Sequence, residues 1–178
     1  MVVRKRRRQM DAQALRALQA PIKESYRTDP GKAVIALKAE GTLDQDKIAC
    51  KVETGRALAV AGLHPKTGGS GAELCSGDML LEALVACAGV TMKAVATALE
   101  IPLRSGRITA EGEIDARGTL GVDKEAPVGF QAIRLKFEVD TDAPQEKIDQ
   151  LLKLTERYCV VFQTLNKKPE LSVRLTRA

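Results

Sequence analysis

Residues 83–92, between Glu82 and Lys93, read ALVACAGVTM and carry no charge. Their surroundings predict a helix over 78–99. Ser76-Gly77-Asp78 offers a capping side chain and a negative charge at its start, and Ile101-Pro102 stops it. A helix that is apolar on every side must be buried on every side. One chain of 178 residues has little else with which to cover it, so a dimer with this helix at the subunit interface is the expected solution. The uncharged run itself is too short to span a bilayer. The basic start is not followed by an uninterrupted apolar stretch, so no secretion signal is read there. A soluble, cytoplasmic protein with reduced thiols is the expectation.

The rest of the chain supplies partners for that helix. Residues 11–26 read as a helical arm with Leu15, Leu18 and Ile22 at helical spacing, interrupted by Pro21. Short strand-like runs follow at 33–40, 47–53 and 56–61, punctuated by Gly41 and Thr54-Gly55 as hairpin turns would be. After a Gly-rich loop over 64–71 and the central helix come two alternating strands. The first, 107–117, places Ile108, Ala110, Gly112, Ile114 and Ala116 on one face. The second, 130–140, places Ile133, Leu135, Phe137 and Val139 on one face. Asp142-Ala143-Pro144 opens a second helix, with Ile148, Leu151, Leu152, Thr155, Cys159 and Phe162 along one stripe. Residues 166–169 break it, and 171–175 read as a closing strand. Strands, buried helix, strands, helix and strand make an α+β protein with mostly antiparallel pairing.

The net charge of +5 suggests nucleic acid at first sight, but it is local. Arg4, Lys5, Arg6, Arg7 and Arg8 set aside, the remaining 23 basic residues balance 23 acidic ones. The basic character belongs to a tail, and aromatics, 3% of the chain, are too few for base stacking. Nucleic acid and membrane are therefore not expected partners.

Four cysteines stand at 50, 75, 87 and 159, with one histidine, His64, and no CxxC. Zinc sites need tighter Cys and His spacing, so no metal is expected. A cysteine on a core helix is ordinarily a small buried hydrophobe, and that reading is open for Cys87 and Cys159, as it is for Cys50 in its strand. Two inward thiols on different core helices also permit chemistry. If their Cβ atoms approach within about 4 Å they can close a disulfide, and such a pair can reduce a peroxide through a sulfenic acid. A thiol with pKa near 8.5 is only about 3% ionised at pH 7, so a fast nucleophile needs a nearby cation. Cys75 immediately precedes the central helix, where the helix dipole favours a thiolate. It is either a reactive or redox-sensing thiol or a plain loop residue.

Gly68-Gly69-Ser70-Gly71 followed by the run from Ser76 through Met79, Leu80, Leu81, Glu82, Ala83 and Leu84 to Cys87 resembles the OsmC/Ohr family of thiol-dependent hydroperoxide reductases. Cys159-Val160-Val161-Phe162-Gln163-Thr164-Leu165 resembles that family's second signature. The likeness covers 33–175 and implies an OsmC-like domain over 31–178, with 1–30 a basic tail and helical arm. It implies an intertwined homodimer whose sheets wrap around central buried helices. Cys87 would be the peroxidatic cysteine and Cys159 the resolving one, acting on small organic hydroperoxides, with an external dithiol reductant and no cofactor. Active members carry a glutamate ten residues before the peroxidatic cysteine, where this chain has Gly77; Asp78 and Glu82 are the nearest carboxylates. The upstream arginine that pairs with the thiolate has Arg56 and Lys47 as its nearest candidates. These departures leave a second expectation beside the peroxidase: a non-catalytic small-ligand binder or redox sensor on the same scaffold.

Overall fold

The computed structural model describes residues 11–34, 40–43, 49–53 and 58–177. The basic run at 4–8, Lys47, Arg56 and the Thr54-Gly55 turn lie outside them, as does the side chain of Cys50. Helix α1 (Ala12–Thr28) leads into a 3-10 turn (Pro30–Ala33) and strands β1 (Glu40–Leu43), β2 (Ala49–Glu53) and β3 (Leu58–Gly62). A second 3-10 turn (Pro65–Thr67) and strand β4 (Leu74–Cys75) precede the central helix α2 (Ser76–Ala98). Strand β5 (Ser105–Ile114), the short α3 (Ala116–Thr119), strand β6 (Phe130–Asp140) and helices α4 (Gln145–Tyr158) and α5 (Val160–Asn166) complete the order. The β1–β2 and β2–β3 pairs are antiparallel, and β4 joins β3 in parallel. Strands β5 and β6 form a separate antiparallel pair. The architecture is α+β.

Helix α2 is held between the β5–β6 pair and the helices α4 and α5. Its buried residues, Leu84, Ala88, Met92 and Ala96, recur every fourth position and form one stripe. Near its C-terminal end, Met92 and Ala96 pack with Ile101 and Leu151. In its middle, Leu84 and Ala88 pack with Cys159 beneath Ile108, Ile133 and Leu135. By length and composition alone α2 is apolar enough to cross a membrane, and the described chain buries one stripe of it, 22% of its apolar window.

The expectation that α2 is buried on all sides fails within one chain. Ala83, Ala86 and Val90 lie on an uncovered side, Val90 with 73% of its surface exposed. Among the described residues β5, α4 and α5, with lesser contacts from α1 and β4, pack on α2 and bury that one stripe.

Several boundaries also differ from the sequence reading. Helix α1 runs through Pro21 instead of being interrupted. Proline removes the bond to the carbonyl of Ala17, but both residues are exposed, so water can take that carbonyl. Gly41 pairs with Val52 inside β1 and does not mark a turn, and Ala33 belongs to a 3-10 turn and not to a strand. The residue preceding α2 is Cys75, with no side-chain capping bond; Ser76 is already helical. Strand β5 ends at Ile114, since the Asp115 side chain accepts from the Arg117 amide and opens α3, taking Ala116 out of the strand. Segment 171–175 forms no strand with the described residues, and Leu171, Val173 and Leu175 are exposed. Its alternation is that of a strand, but a strand needs a neighbour for its N–H and C=O groups. The helix expected to continue through Cys159 ends at Tyr158 and restarts at Val160.

Candidate active site

The interruption at Cys159 builds the site. Cys159 has an extended backbone, φ −72° and ψ 107°, between two helical segments. Its own N–H still donates to Thr155 O at 2.9 Å, and its C=O still accepts from Gln163 N at 2.9 Å. The first amides of α5, however, are left without helical acceptors, and those of Val160, Val161 and Phe162 act on the two sulfurs. The side chain of Gln163 donates back to the carbonyl of Glu156 at 2.8 Å and bridges the break.

Cys87 is partly buried on α2 and Cys159 is 1% exposed beneath it, both as free thiols. Burial pushes the Cys87 thiol up, but hydrogen bonds to its sulfur outweigh this and hold it below its ordinary value. The donors are the Val161 amide, the Cys159 thiol, the Val160 amide and the Thr91 hydroxyl, in falling order. These are dipoles, not ions, and each favours a thiolate at Cys87. Cys159 moves the other way. Burial raises it most; the amides of Phe162 and Val161 oppose this, while its contact with the ionising Cys87 raises it further. The pair is thus polarised, with Cys87 the better nucleophile and Cys159 the proton-bearing neighbour.

An apolar cavity of about 580 Å³ lies against the cluster that holds the pair, though neither cysteine is part of its lining. Leu84, Ile133, Leu135 and Phe162 belong both to its wall and to the cluster around the thiols. It continues past Leu80 to Phe130, with Gln131 and Asn166 as polar lining. The cavity suits an apolar molecule with one polar end.

The other candidates sit elsewhere. Asp78 and Glu82 are exposed. At 100° per residue, Glu82 lies about 140° around α2 from Cys87 and Asp78 about 180°, so the helix does not bring either carboxylate to the thiol. Cys75 ends β4, and its sulfur would lie 3.6 Å from a Cβ at Gly77, away from the Cys87–Cys159 pair. His64 caps the turn after it, its Nδ1 accepting from the Lys66 amide at 3.1 Å. Among the described residues no group of three His, Cys, Asp or Glu side chains gathers around a point that could hold a metal. Thr91 was not visible as a site residue from sequence. Its signal is the spacing of one helical turn, Cys87 to Thr91, on a face already read as inward.

The profile of the OsmC-like protein family matches residues 69–174, which include both cysteines, α2 and the whole of the cavity wall. The chain belongs to the OsmC-like family. Solved structures agree with its fold. An OsmC-like protein from Mycoplasma pneumoniae superposes with a TM-score of 0.63 at 16% identity, over 75% of this chain and 89% of that one. An organic hydroperoxide resistance protein from Elizabethkingia anophelis gives 0.60 at 13% identity, over 76% and 91%. An organic hydroperoxide resistance protein OsmC from Legionella pneumophila gives 0.58 at 16% identity, over 74% and 90%. No curated protein sequence matches the chain. In this OsmC-like protein the two cysteines of the sequence motifs stand in contact, from α2 and from the joint between α4 and α5.

Proposed function

We propose that this OsmC-like protein is a thiol-dependent peroxidase that reduces organic hydroperoxides, working as a homodimer in the cytoplasm. The observation that carries the reading is the polarised pair, Cys87 lowered and Cys159 raised, beside an apolar cavity. The Cys87 thiolate attacks the terminal oxygen of the hydroperoxide. The O–O bond breaks, the alkoxide takes a proton and leaves as an alcohol, and Cys87 becomes a sulfenic acid. The Cys159 sulfur then attacks the sulfenic sulfur, water leaves, and a Cys87–Cys159 disulfide forms. An external dithiol reduces that disulfide and is itself oxidised to one, restoring both thiols.

A second copy of the chain suits the uncovered side of α2 and the unpaired apolar alternation of Leu171, Val173 and Leu175. The apolar cavity would also suit a small-ligand binder or redox sensor that turns nothing over, and one experiment separates the readings. Consumption of cumene hydroperoxide with dithiothreitol is expected for the native protein. Loss of turnover is expected in Cys87→Ser, and stalled or mixed-disulfide species in Cys159→Ser. Turnover unchanged in Cys87→Ser overturns the mechanism. Two thiols that stay free after peroxide treatment favour the binder.

A further inference from the structure

The alternation of β6 and the position of Phe130 disagree, and the reason lies in the sheet. Ile133, Leu135, Phe137 and Val139 occupy alternate positions, so an unbroken strand would turn Gln131 to the same side. The ladder slips instead. Glu113 stands opposite Ala132, but Ile114 stands opposite Phe130. Gln131 is the extra residue of a β-bulge, which reverses the facing of the residue before it. Phe130 turns inward into the cavity wall, and Gln131 is exposed.

Room for the ring comes from a missing side chain. A Cβ at Gly112 would lie 2.3 Å from Cε1 and 2.6 Å from Cδ1 of Phe130, so no other residue fits beneath the ring as it stands. The ring's tip faces the start of α2, where a Cβ at Gly77 would lie 3.6 Å from Cζ. Leu84, the cavity residue that also touches the thiol cluster, is further along α2. At 1.5 Å per residue, Gly77 and Leu84 are about 10 Å apart. The cavity is thus a slot along α2, with Phe130 at one end and, toward the other, Leu84 and Phe162, which pack against the thiols.

We propose that Phe130, turned inward by the bulge and seated over Gly112, is the specificity-determining residue of the slot: it limits the length of apolar tail admitted behind a peroxide group at Cys87. The proposal rests on the peroxidase reading for the identity of that group, and its test has a second arm that does not. In the first arm, kcat/KM for tert-butyl hydroperoxide and for a long-chain alkyl hydroperoxide is measured in the native protein, Phe130→Leu and Phe130→Ala. The long-to-short ratio should rise by about tenfold in Phe130→Ala, the scale on which apolar pockets discriminate small changes of size, with Phe130→Leu between. In the second arm, N-ethylmaleimide and a long-chain N-alkylmaleimide label Cys87 without peroxide, read by peptide mass spectrometry. The long-to-short labelling ratio should rise in the same order. Equal ratios in all three proteins overturn the proposal, whether or not peroxide is consumed. A native protein that consumes no peroxide, but whose labelling ratio follows the size of residue 130, removes the peroxidase reading and upholds the length limit.

Discussion

Cys87 and Cys159 draw on neighbouring amides of α5, that of Val161 in common, but sit at different depths, and the difference decides their chemistry. Donors at Val161, Cys159, Val160 and Thr91 more than offset the burial that pushes the Cys87 thiol up, so its thiolate forms at lower pH than that of an ordinary cysteine. Its alkylation rate should therefore climb with pH and level off earlier than that of a free thiol, while Cys159, raised chiefly by burial, should react only at higher pH. Thr91→Val removes one donor that favours the thiolate. The midpoint should move up, and the rate near pH 7 should fall about threefold, near the low end of the net contribution of a single hydrogen bond. Stopped-flow alkylation across pH reads both effects, and a midpoint that stays put or moves down would contradict the assigned donors. Both cysteines were legible in the sequence, Cys159 by three-and-four spacing along its helix and Cys87 by lying within the uncharged run. The donors were not. The same spacing continues smoothly from Thr155 through Cys159 to Phe162, and so conceals the interruption that frees the Val160 and Val161 amides.

At the scale of elements, the ends of α2 show what side-chain pattern does and does not dictate. The helix closes with Glu100 at φ 58°, a left-handed position that glycine occupies without cost. The Glu100 amide donates to Thr97 O at 3.2 Å and the Ile101 amide to Ala96 O at 2.8 Å, with Ile101 buried against Ala96. Only the residue type at position 100 is unfavourable. Glu100→Gly should raise the unfolding free energy by about 0.5–1 kcal/mol. The ion pair it forfeits, Arg16 to Glu100 at 3.2 Å, is exposed on both sides and contributes little. A denaturant midpoint shifted upward with unchanged slope is the expected readout; a downward shift would mean that the ion pair matters more than the backbone. The extents of α2 and β6 were legible, α2 from its uncharged run and β6 from alternation. The bulge at Gln131 was not, since nothing in a single strand's pattern reports where its partner slips.

The whole molecule is less complete than its elements. One chain covers a single stripe of α2 and leaves Val90 bare on the other side, and the alternation of Leu171, Val173 and Leu175 meets no described strand. If a second copy covers α2, the native protein should sediment as a dimer. Val90→Glu, which would put an unpaired carboxylate into that contact, should shift it toward monomer. A native protein that is monomeric at micromolar concentration would refute the dimer. The need for such cover was the first thing the sequence stated, through residues 83–92. The family profile over 69–174 and the solved relatives establish the fold of the single chain.

The joint at Cys159 has a mechanical consequence. It divides residues 145–166 into two levers of unequal length. The longer, α4, is pinned by Leu151 and Thr155, both almost fully enclosed. The shorter, α5, carries Phe162, Leu165 and Asn166 on the slot wall. The sulfur of Cys159 thus sits at the fulcrum between an anchored arm and one that forms part of the slot wall.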